Sequence, residues 1–487
     1  MQPWIELELN TSDLGDERLD ERYKIILDRL SQRPSVSIPT ACHGWSETLA
    51  AYRFFDNPHV EAADLLAPHQ DAVLDRIAEQ EVVLLIQDTT ELDVTQPEEQ
   101  MAGAGPLNDE SRVGFFNHVT LAVTPGKIPL GVVEAEIYAR DWDTFRENQK
   151  DKESKVQKRK RKPIQQKESF RWLAGYRRGS EVADQVPGTT VIVICDSEGD
   201  IFECFGEAQL QTGQRQAQWI VRACQNRNLT GAPGRKLWDR VGSTQVLGTI
   251  EVSVSKNKPR SKDGRKRKQP RSARTATLTI QATGVTLKGP RRRGGKLADV
   301  TVNAVLVREM NPPRGQEPVE WLLLTSLPVH TFKQVGLVID YYSCRWQIEI
   351  YFRVLKSGCG VEELQLETAD RFQPCLALYM IVAWRVMYVM MMGRECPEIS
   401  CDLILSEDEW KAVYTVVEQK TPPKTAPTIE QMVYMIASLG GHLGRTHDGP
   451  PGPKTTWIGM QRMMDLALAW RTFGPAKTPD RQKNICV

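Results

Sequence analysis

The chain has 487 residues, 40% of them hydrophobic and 26% charged, and its 63 Lys and Arg against 62 Asp and Glu leave a net charge of +1. That length exceeds what one hydrophobic core fills, so roughly two to four domains of a soluble globular protein are expected. A balance so near zero excludes a generally basic surface, so any polyanion partner must be met by local clusters of charge.

Ten cysteines lie scattered, without CxxC pairs or histidines at finger spacing. This argues against a zinc site and for reduced, buried thiols in a cytosol-like compartment. The first thirty residues are rich in acids and carry no apolar core, so no signal peptide is expected.

The N-terminal segment, to about residue 75, reads as short helices. Asp16 to Leu30 has apolar positions at helical spacing, with Arg18, Arg22, Lys24 and Arg29 on other faces, and Pro34 and Pro39 end it. A second helical stretch, Ser46 to Asp56, contains Arg53. A small helical unit with several arginines fits DNA binding and a docking module equally well.

Strands follow. Val82 to Ile86 is an unbroken apolar run that leads into Gln87-Asp88-Thr89-Thr90. Val119 to Thr124 and Leu130 to Tyr138 read as further strands, and Thr189 to Cys195 is a second strongly buried one, leading into Asp196. Strands apolar throughout imply a sheet covered on both faces, hence an α/β layer. Between them, Lys150 to Lys167 includes the run Lys158 to Lys162, which suits a solvated loop or a phosphate contact.

From about 215 to 338 the pattern turns β-rich and basic. Thr249 to Val254, Thr275 to Ala282, Val300 to Val307 and Trp321 to Ser326 read as strands. The loops between them are basic: Lys256 to Lys268, Arg271, Arg274, Arg291 to Arg293 and Lys296. The expectation is an inserted β subdomain with one very basic face, the footprint of a polyanion partner.

Helix returns from about Thr331 to Ser357. Cys375 to Met392 is then almost wholly apolar and of about spanning length, but Arg385 in its middle favours a buried core helix over a membrane span. The remainder, 397–487, reads as helical, with Gly- and Pro-rich breaks.

Asp88 and Asp196 each follow a buried strand, which places both carboxylates at carboxyl ends of the sheet, where open α/β sheets bind ligands. Two adjacent acids repel unless a cation lies between them, and Mg²⁺ takes one or two carboxylates together with substrate phosphate. A turn or cap role is the ordinary alternative for such aspartates. Tyr342, Arg345, Glu349 and Lys356 are spaced by three, four and seven residues. On one continuous helix they would fall within an arc of roughly 60°. Such a stripe fits a carboxylate completing a metal site between groups for phosphate oxygens; a solvent face with ion pairs is the alternative.

These residues resemble a family. Ile86-Gln87-Asp88-Thr89-Thr90, Ile194-Cys195-Asp196-Ser197-Glu198-Gly199-Asp200 and Tyr342-x2-Arg345-x3-Glu349-x6-Lys356 are similar to the acidic triad and Y-R-E-K signature of bacterial DDE transposases of the insertion-sequence four family. Further likeness lies in Leu14-Gly15-Asp16 with Arg18, in Ala51-Tyr52-Arg53-Phe54, and in Lys167-Glu168-Ser169-x-Arg171-Trp172. It continues in Asn303 to Leu306, Asn311-Pro312-Pro313, Trp321 to Ser326 and Ile436 to Gly441. Their ordered co-occurrence is specific, although Asp-Thr-Thr alone would be weak. The N-terminal contacts that set end preference do not align clearly around Cys42 to Leu49.

The resemblance implies a ribonuclease-H-like α/β core with an inserted β subdomain, flanked by helical N- and C-terminal domains. Its expected units are an end-binding domain over 1–75, a catalytic domain over 76–396 and a dimerisation domain over 397–487. Asp88, Asp196 and Glu349 would bind two Mg²⁺ ions per site, or Mn²⁺ in their place. Tyr342, Arg345, Lys356 and Arg222 would hold DNA phosphates, Trp321 would stack on a flipped base, and Arg18, Arg22 and Arg53 would contact the transposon end. The implied partners are inverted terminal repeats, target DNA and a second copy of the chain in a synaptic complex, without a membrane. The implied setting is the bacterial cytoplasm, at the nucleoid. The implied reaction is cut-and-paste transposition through a hairpin. The alternatives are a DNA-binding derivative that no longer cuts, against which the complete triad and stripe argue, and a metal nuclease that does not join strands.

Overall fold

Branched apolar side chains commit Val82 to Ile86 to an extended segment, and in the computed structural model they open a twelve-residue strand, β1 (Val82–Asp93). The structure describes residues 1–42, 44–96, 100–150 (148–150 as backbone only), 162–210, 215–231, 236–254, 272–292 and 294–475. Lys158 to Arg161, Lys256 to Lys268, Arg271 and Arg293, the centres of the expected basic loops, lie outside the described residues.

β2 (Val113–Val123) and β3 (Pro129–Tyr138) extend the sheet from one side of β1, each antiparallel to its neighbour. β4 (Thr190–Cys195) and β5 (Gln218–Arg222) extend it from the other, both parallel to β1. Every residue of β2 is buried, as a central strand covered on both faces requires. α5 (Phe170–Gln185) covers one face. Its close approach depends on two glycines. A Cβ at Gly175 would meet the Gln87 amide at 2.7 Å, and one at Gly179 would meet Val193 Cγ2 at 2.5 Å.

The strands of the β-rich segment, expected as an inserted β subdomain, join the same sheet. β6 (Val246–Val254), β7 (Arg274–Leu287), β8 (Val300–Glu309) and β9 (Glu320–Thr325) continue it in the order β3-β2-β1-β4-β5-β9-β8-β7-β6. With the short Gly105–Pro106 strand beside β2, this sheet has ten strands among the described residues. The seam is the antiparallel pairing of Leu323 to Thr325 with Ile220 to Arg222, which satisfies an edge of β5 that would otherwise be open.

The N-terminal helices are α1 (Pro3–Glu8), α2 (Glu17–Gln32), α3 (Trp45–Phe55) and α4 (Ala62–Ala78). Asp16 caps α2 by accepting the Arg18 N–H. A buried ionic cluster fastens this region to the sheet. Arg76 donates two hydrogen bonds of 2.9 Å to the Glu8 carboxylate and one of 2.7 Å to the Leu130 carbonyl. His69 accepts the Val132 N–H on Nε2 at 2.9 Å, so its proton lies on Nδ1 and is donated to Glu8.

After β9 come α6 (Phe332–Ser343), α7 (Trp346–Arg353) and a π-turn (Val354–Gly358). α8 (Ala369–Glu395) is long and apolar enough to cross a membrane, yet 89% of its most apolar window is buried inside the protein, as expected of a core helix. Its Arg385 donates to the Ile404 carbonyl. α10 (Ile429–Leu439) and α11 (Pro453–Phe473) pack on it, and α9 (Glu407–Glu418) packs on those two.

Candidate active site

Parallel pairing of β1 with β4 runs from Val82 opposite Thr190 to Gln87 opposite Cys195. The next residue on each strand is Asp88 and Asp196, so the two carboxylates stand side by side where the parallel ladder ends. Alternate residues of a strand share a face. Ile86, Ile194, Ile220 and Leu323 all bury into the larger core, which places Asp88, Asp196, Arg222 and Trp321 toward that same side. α7 packs there through Ile348, Tyr351 and Phe352, and it carries Glu349.

Two local expectations need correction. β1 does not end before Asp88 but runs on to Asp93, paired only with β2. What ends is the parallel partner, because β4 stops and Asp196 turns to cap a short 3-10 turn, accepting the Glu198 N–H at 2.7 Å. Nor do Tyr342, Arg345, Glu349 and Lys356 lie on one uninterrupted helix. Tyr342 is in the last turn of α6, Arg345 stands in the break before α7, Glu349 is on α7 and Lys356 is in the π-turn. π-turns of this kind recur at functional sites, where they change the register of side chains along a helix.

The guanidinium of Arg345 joins two of the acids. It donates to Asp88 Oδ2 at 3.2 Å and lies 3.5 Å from Glu349 Oε1. Its side chain is only 10% exposed and sits 4.6 Å from the ring centre of Trp346, which is itself exposed. Asp88 also accepts the Thr89 N–H at 2.8 Å. Burial, then the charge of Asp196, push the Asp88 carboxyl up to about 7 against the opposing pull of the Thr89 N–H and Arg345. Two carboxylates this short of compensating cation are a hard, oxygen-donor set of the kind that Mg²⁺ and Mn²⁺ take. Among the described residues, no three Asp, Glu, His or Cys side chains are yet drawn close enough to hold an ion. Arg345 stands between Asp88 and Glu349, and Asp196 spends one oxygen on its own turn.

The remaining expected residues divide. Tyr342 is buried beside the acids, and burial pushes its hydroxyl up to about 12, so it stays a hydrogen-bond donor. Lys356 donates to the Glu91 carbonyl at 2.7 Å and pairs with Glu362 at 2.8 Å, which fastens the π-turn to β1 just beyond Asp88. Arg222 ends β5, exposed, and its charge acts on Tyr342. Trp321 is half-buried on β9 against the larger core. Arg18 and Arg53 are exposed on the N-terminal helices, remote in sequence from the acids, with Arg18 paired to its neighbour Asp16 at 2.8 Å, and Arg22 is paired to Glu47 at 2.7 Å, which ties α2 to α3.

The structure adds Arg171, to which the sequence patterns assign no role in the site. Its side chain is 10% exposed, donates to Thr89 Oγ1 at 3.0 Å and lies 3.5 Å from Glu198. Thr89 in turn meets His118 Nδ1 at 2.8 Å. Burial and Arg171 lower His118 to about 3, so it is neutral. The signal for Arg171 is its place after a basic loop at the start of a helix, but only the fold shows that this helix crosses β1 beside Asp88.

Comparison with known families agrees with this arrangement. The family described as Transposase DNA-binding matches residues 1–60, Transposase DDE domain matches 138–384, and Transposase Tn5 dimerisation domain matches 381–471. These matches, together with a sheet carrying paired aspartates opposite a glutamate helix, define a DNA-cleaving transposase enzyme. The chain belongs to the DDE transposase family, in its Tn5-like form. Asp88 precedes the matched DDE segment and reaches the site because β1 is the neighbour of β4. Among solved structures, a piggyBac transposase synaptic complex with hairpin DNA aligns over 98% of this chain and 79% of that one, at 9% identity and a TM-score of 0.35, a likeness too loose to bear on the argument.

Proposed function

We propose that the protein is a cut-and-paste transposase whose Asp88, Asp196 and Glu349 hold two Mg²⁺ ions, replaceable by Mn²⁺, at the ends of its mobile element. The observation that carries this is the placement of Asp88 and Asp196 side by side at the end of the β1–β4 ladder, with Arg345 linking Asp88 to Glu349. The order β3-β2-β1-β4-β5, with β2 alone antiparallel among the middle strands, supports a ribonuclease-H-like core over 76–396.

Bound divalent ions would polarise the scissile phosphate and activate water or a 3′ hydroxyl for in-line attack. The chain's own groups do the rest. Arg345 and Arg222 present planar, permanently charged forks that match phosphate oxygens, and Lys356 supplies a point charge. Tyr342, held protonated, donates a hydrogen bond. Trp321 offers a ring on which an unstacked base can lie, as a hairpinned end requires. Residues 1–75, with exposed Arg18 and Arg53, bind the inverted terminal repeats, and 397–487 joins two copies in the synaptic complex with target DNA.

The test is to mix the full-length protein with Mg²⁺ and DNA carrying the inverted repeats that flank its gene. Hairpinned ends and strand-transferred products are expected. Binding without any cut would instead indicate a derivative that has lost its chemistry, and cutting without joining a nuclease. Glu349→Ala should keep end binding while cleavage falls on the order of a thousandfold or more. Loss of binding with the cutting rate per complex unchanged would take Glu349 out of the metal site.

A further inference from the structure

Arg345 is a cation that joins two carboxylates assigned above to a metal. Its donors reach Asp88 Oδ2 at 3.2 Å and Glu349 Oε1 at 3.5 Å, in a side chain only 10% exposed. A guanidinium directs its N–H groups in a fixed fork, and a carboxylate oxygen facing that fork is not open to a dication. The same fork fits a phosphodiester at least as well as it fits two separate acids, because a bidentate phosphate pair satisfies two parallel N–H groups at once. The residue stands where α6 breaks before α7, beside the exposed ring of Trp346.

We propose that Arg345 is a built-in counter-ion latch: in the DNA-free chain it competes with divalent metal for Asp88 and Glu349, and a DNA phosphate that draws the guanidinium away opens the site. This rests on the metal-binding reading of the three acids. Its consequence is a positive coupling between DNA and metal. Whatever favours phosphate at Arg345 favours the ion at the acids, and the reverse holds by linkage. A latch of this kind would keep the free enzyme poorly loaded and confine cutting to DNA already seated.

The experiment is a Mn²⁺ titration of the full-length, DNA-free protein, followed by the electron paramagnetic resonance of the free ion. Removing one adjacent positive charge from a partly buried carboxylate pair should tighten Mn²⁺ binding by about tenfold or more in Arg345→Gln. Arg345→Met, which removes the charge but keeps an unbranched apolar side chain, should do the same and serves where the amide variant does not fold. Adding Asp88→Asn to either should abolish the gain. If both Arg345 variants bind Mn²⁺ no more tightly than the parent while Asp88→Asn still weakens binding, the latch is wrong and the metal site stands. If Asp88→Asn changes nothing in any background, the ions lie elsewhere, and the metal reading fails together with the latch.

Discussion

At the scale of single residues, Asp88 carries the tension of the site. Burial and Asp196 together outweigh Arg345 and raise its pKa from 3.8 to about 7. An acid whose folded pKa lies above its unfolded one stabilises the fold most at low pH. That contribution is complete below about 3.8 and fades as pH rises to about 7. In metal-free protein at pH 8, ionised Asp88 is therefore a liability. Asp88→Asn should raise stability in chelator at pH 8 by on the order of 1–3 kcal/mol, with the gain shrinking toward pH 5, while cleavage is lost. Urea melts at the two pH values check this, and a variant less stable than the parent at pH 8 would show that the Arg345 pair dominates. Asp88 and Asp196 stood out in the sequence because each follows an apolar run, whereas Glu349 stood out by its spacing from Tyr342, Arg345 and Lys356 and by the resemblance. What could not be read was Arg345 joining two of them, or Arg171 beside Thr89, since both depend on how elements distant in the chain meet.

Elements were legible where periodicity was strong. α2, α3, β3 and β4 fall within a residue or two of the patterns that announce them. Two features that the patterns did not show have one cause, which is pairing with a distant partner. Polar Asp88, Thr89 and Thr90 stay extended because β2 offers its full length to β1. The β-rich insertion joins the main sheet because β5 leaves an edge for β9. The break before α7 and the π-turn after it gave no sign in the spacing of side chains. Close approach of helices is also invisible until they meet. A Cβ at Gly459 on α11 would come within 1.8 Å of the Ile436 carbonyl oxygen on α10, and backbone cannot yield as a side chain can. Gly459→Ala should therefore force this pair apart and cost about 1–3 kcal/mol, as overpacking of a tight core does. Thermal melting checks the cost. Gel filtration should show impaired pairing of copies if this region dimerises the protein.

Across the whole molecule, the N-terminal helices are joined to the rest by charge as well as by apolar packing. Glu8 of α1 is buried between His69 and Arg76 of α4, which in turn bond to the Val132 N–H and the Leu130 carbonyl on β3, and Arg33 reaches Asp465 on α11 at 2.9 Å. Burial alone would raise the Glu8 pKa, but His69 and Arg76 outweigh it and hold it below the ordinary 4.5. Its contribution to stability is thus present above about pH 4.5 and lost as pH falls below that. Glu8→Gln should cost about 3–5 kcal/mol near neutral pH, as expected when one partner of a buried pair is removed, and a matched thermal melt measures it. DNA binding poses the opposite question, since a net charge of +1 gives no general attraction. Affinity must come from local cations, so it should fall steeply with salt, and removing a cation that neutralises one phosphate should lower the log–log salt slope by about 1. Arg53 is exposed, whereas Arg22 is held by Glu47 at 2.7 Å. Arg53→Ala should reduce the slope for a duplex carrying the element's end, while Arg22→Ala should loosen the α2–α3 packing and leave the slope unchanged. Equal slopes for Arg53→Ala and the parent, measured between about 50 and 200 mM salt, would remove Arg53 from the DNA interface.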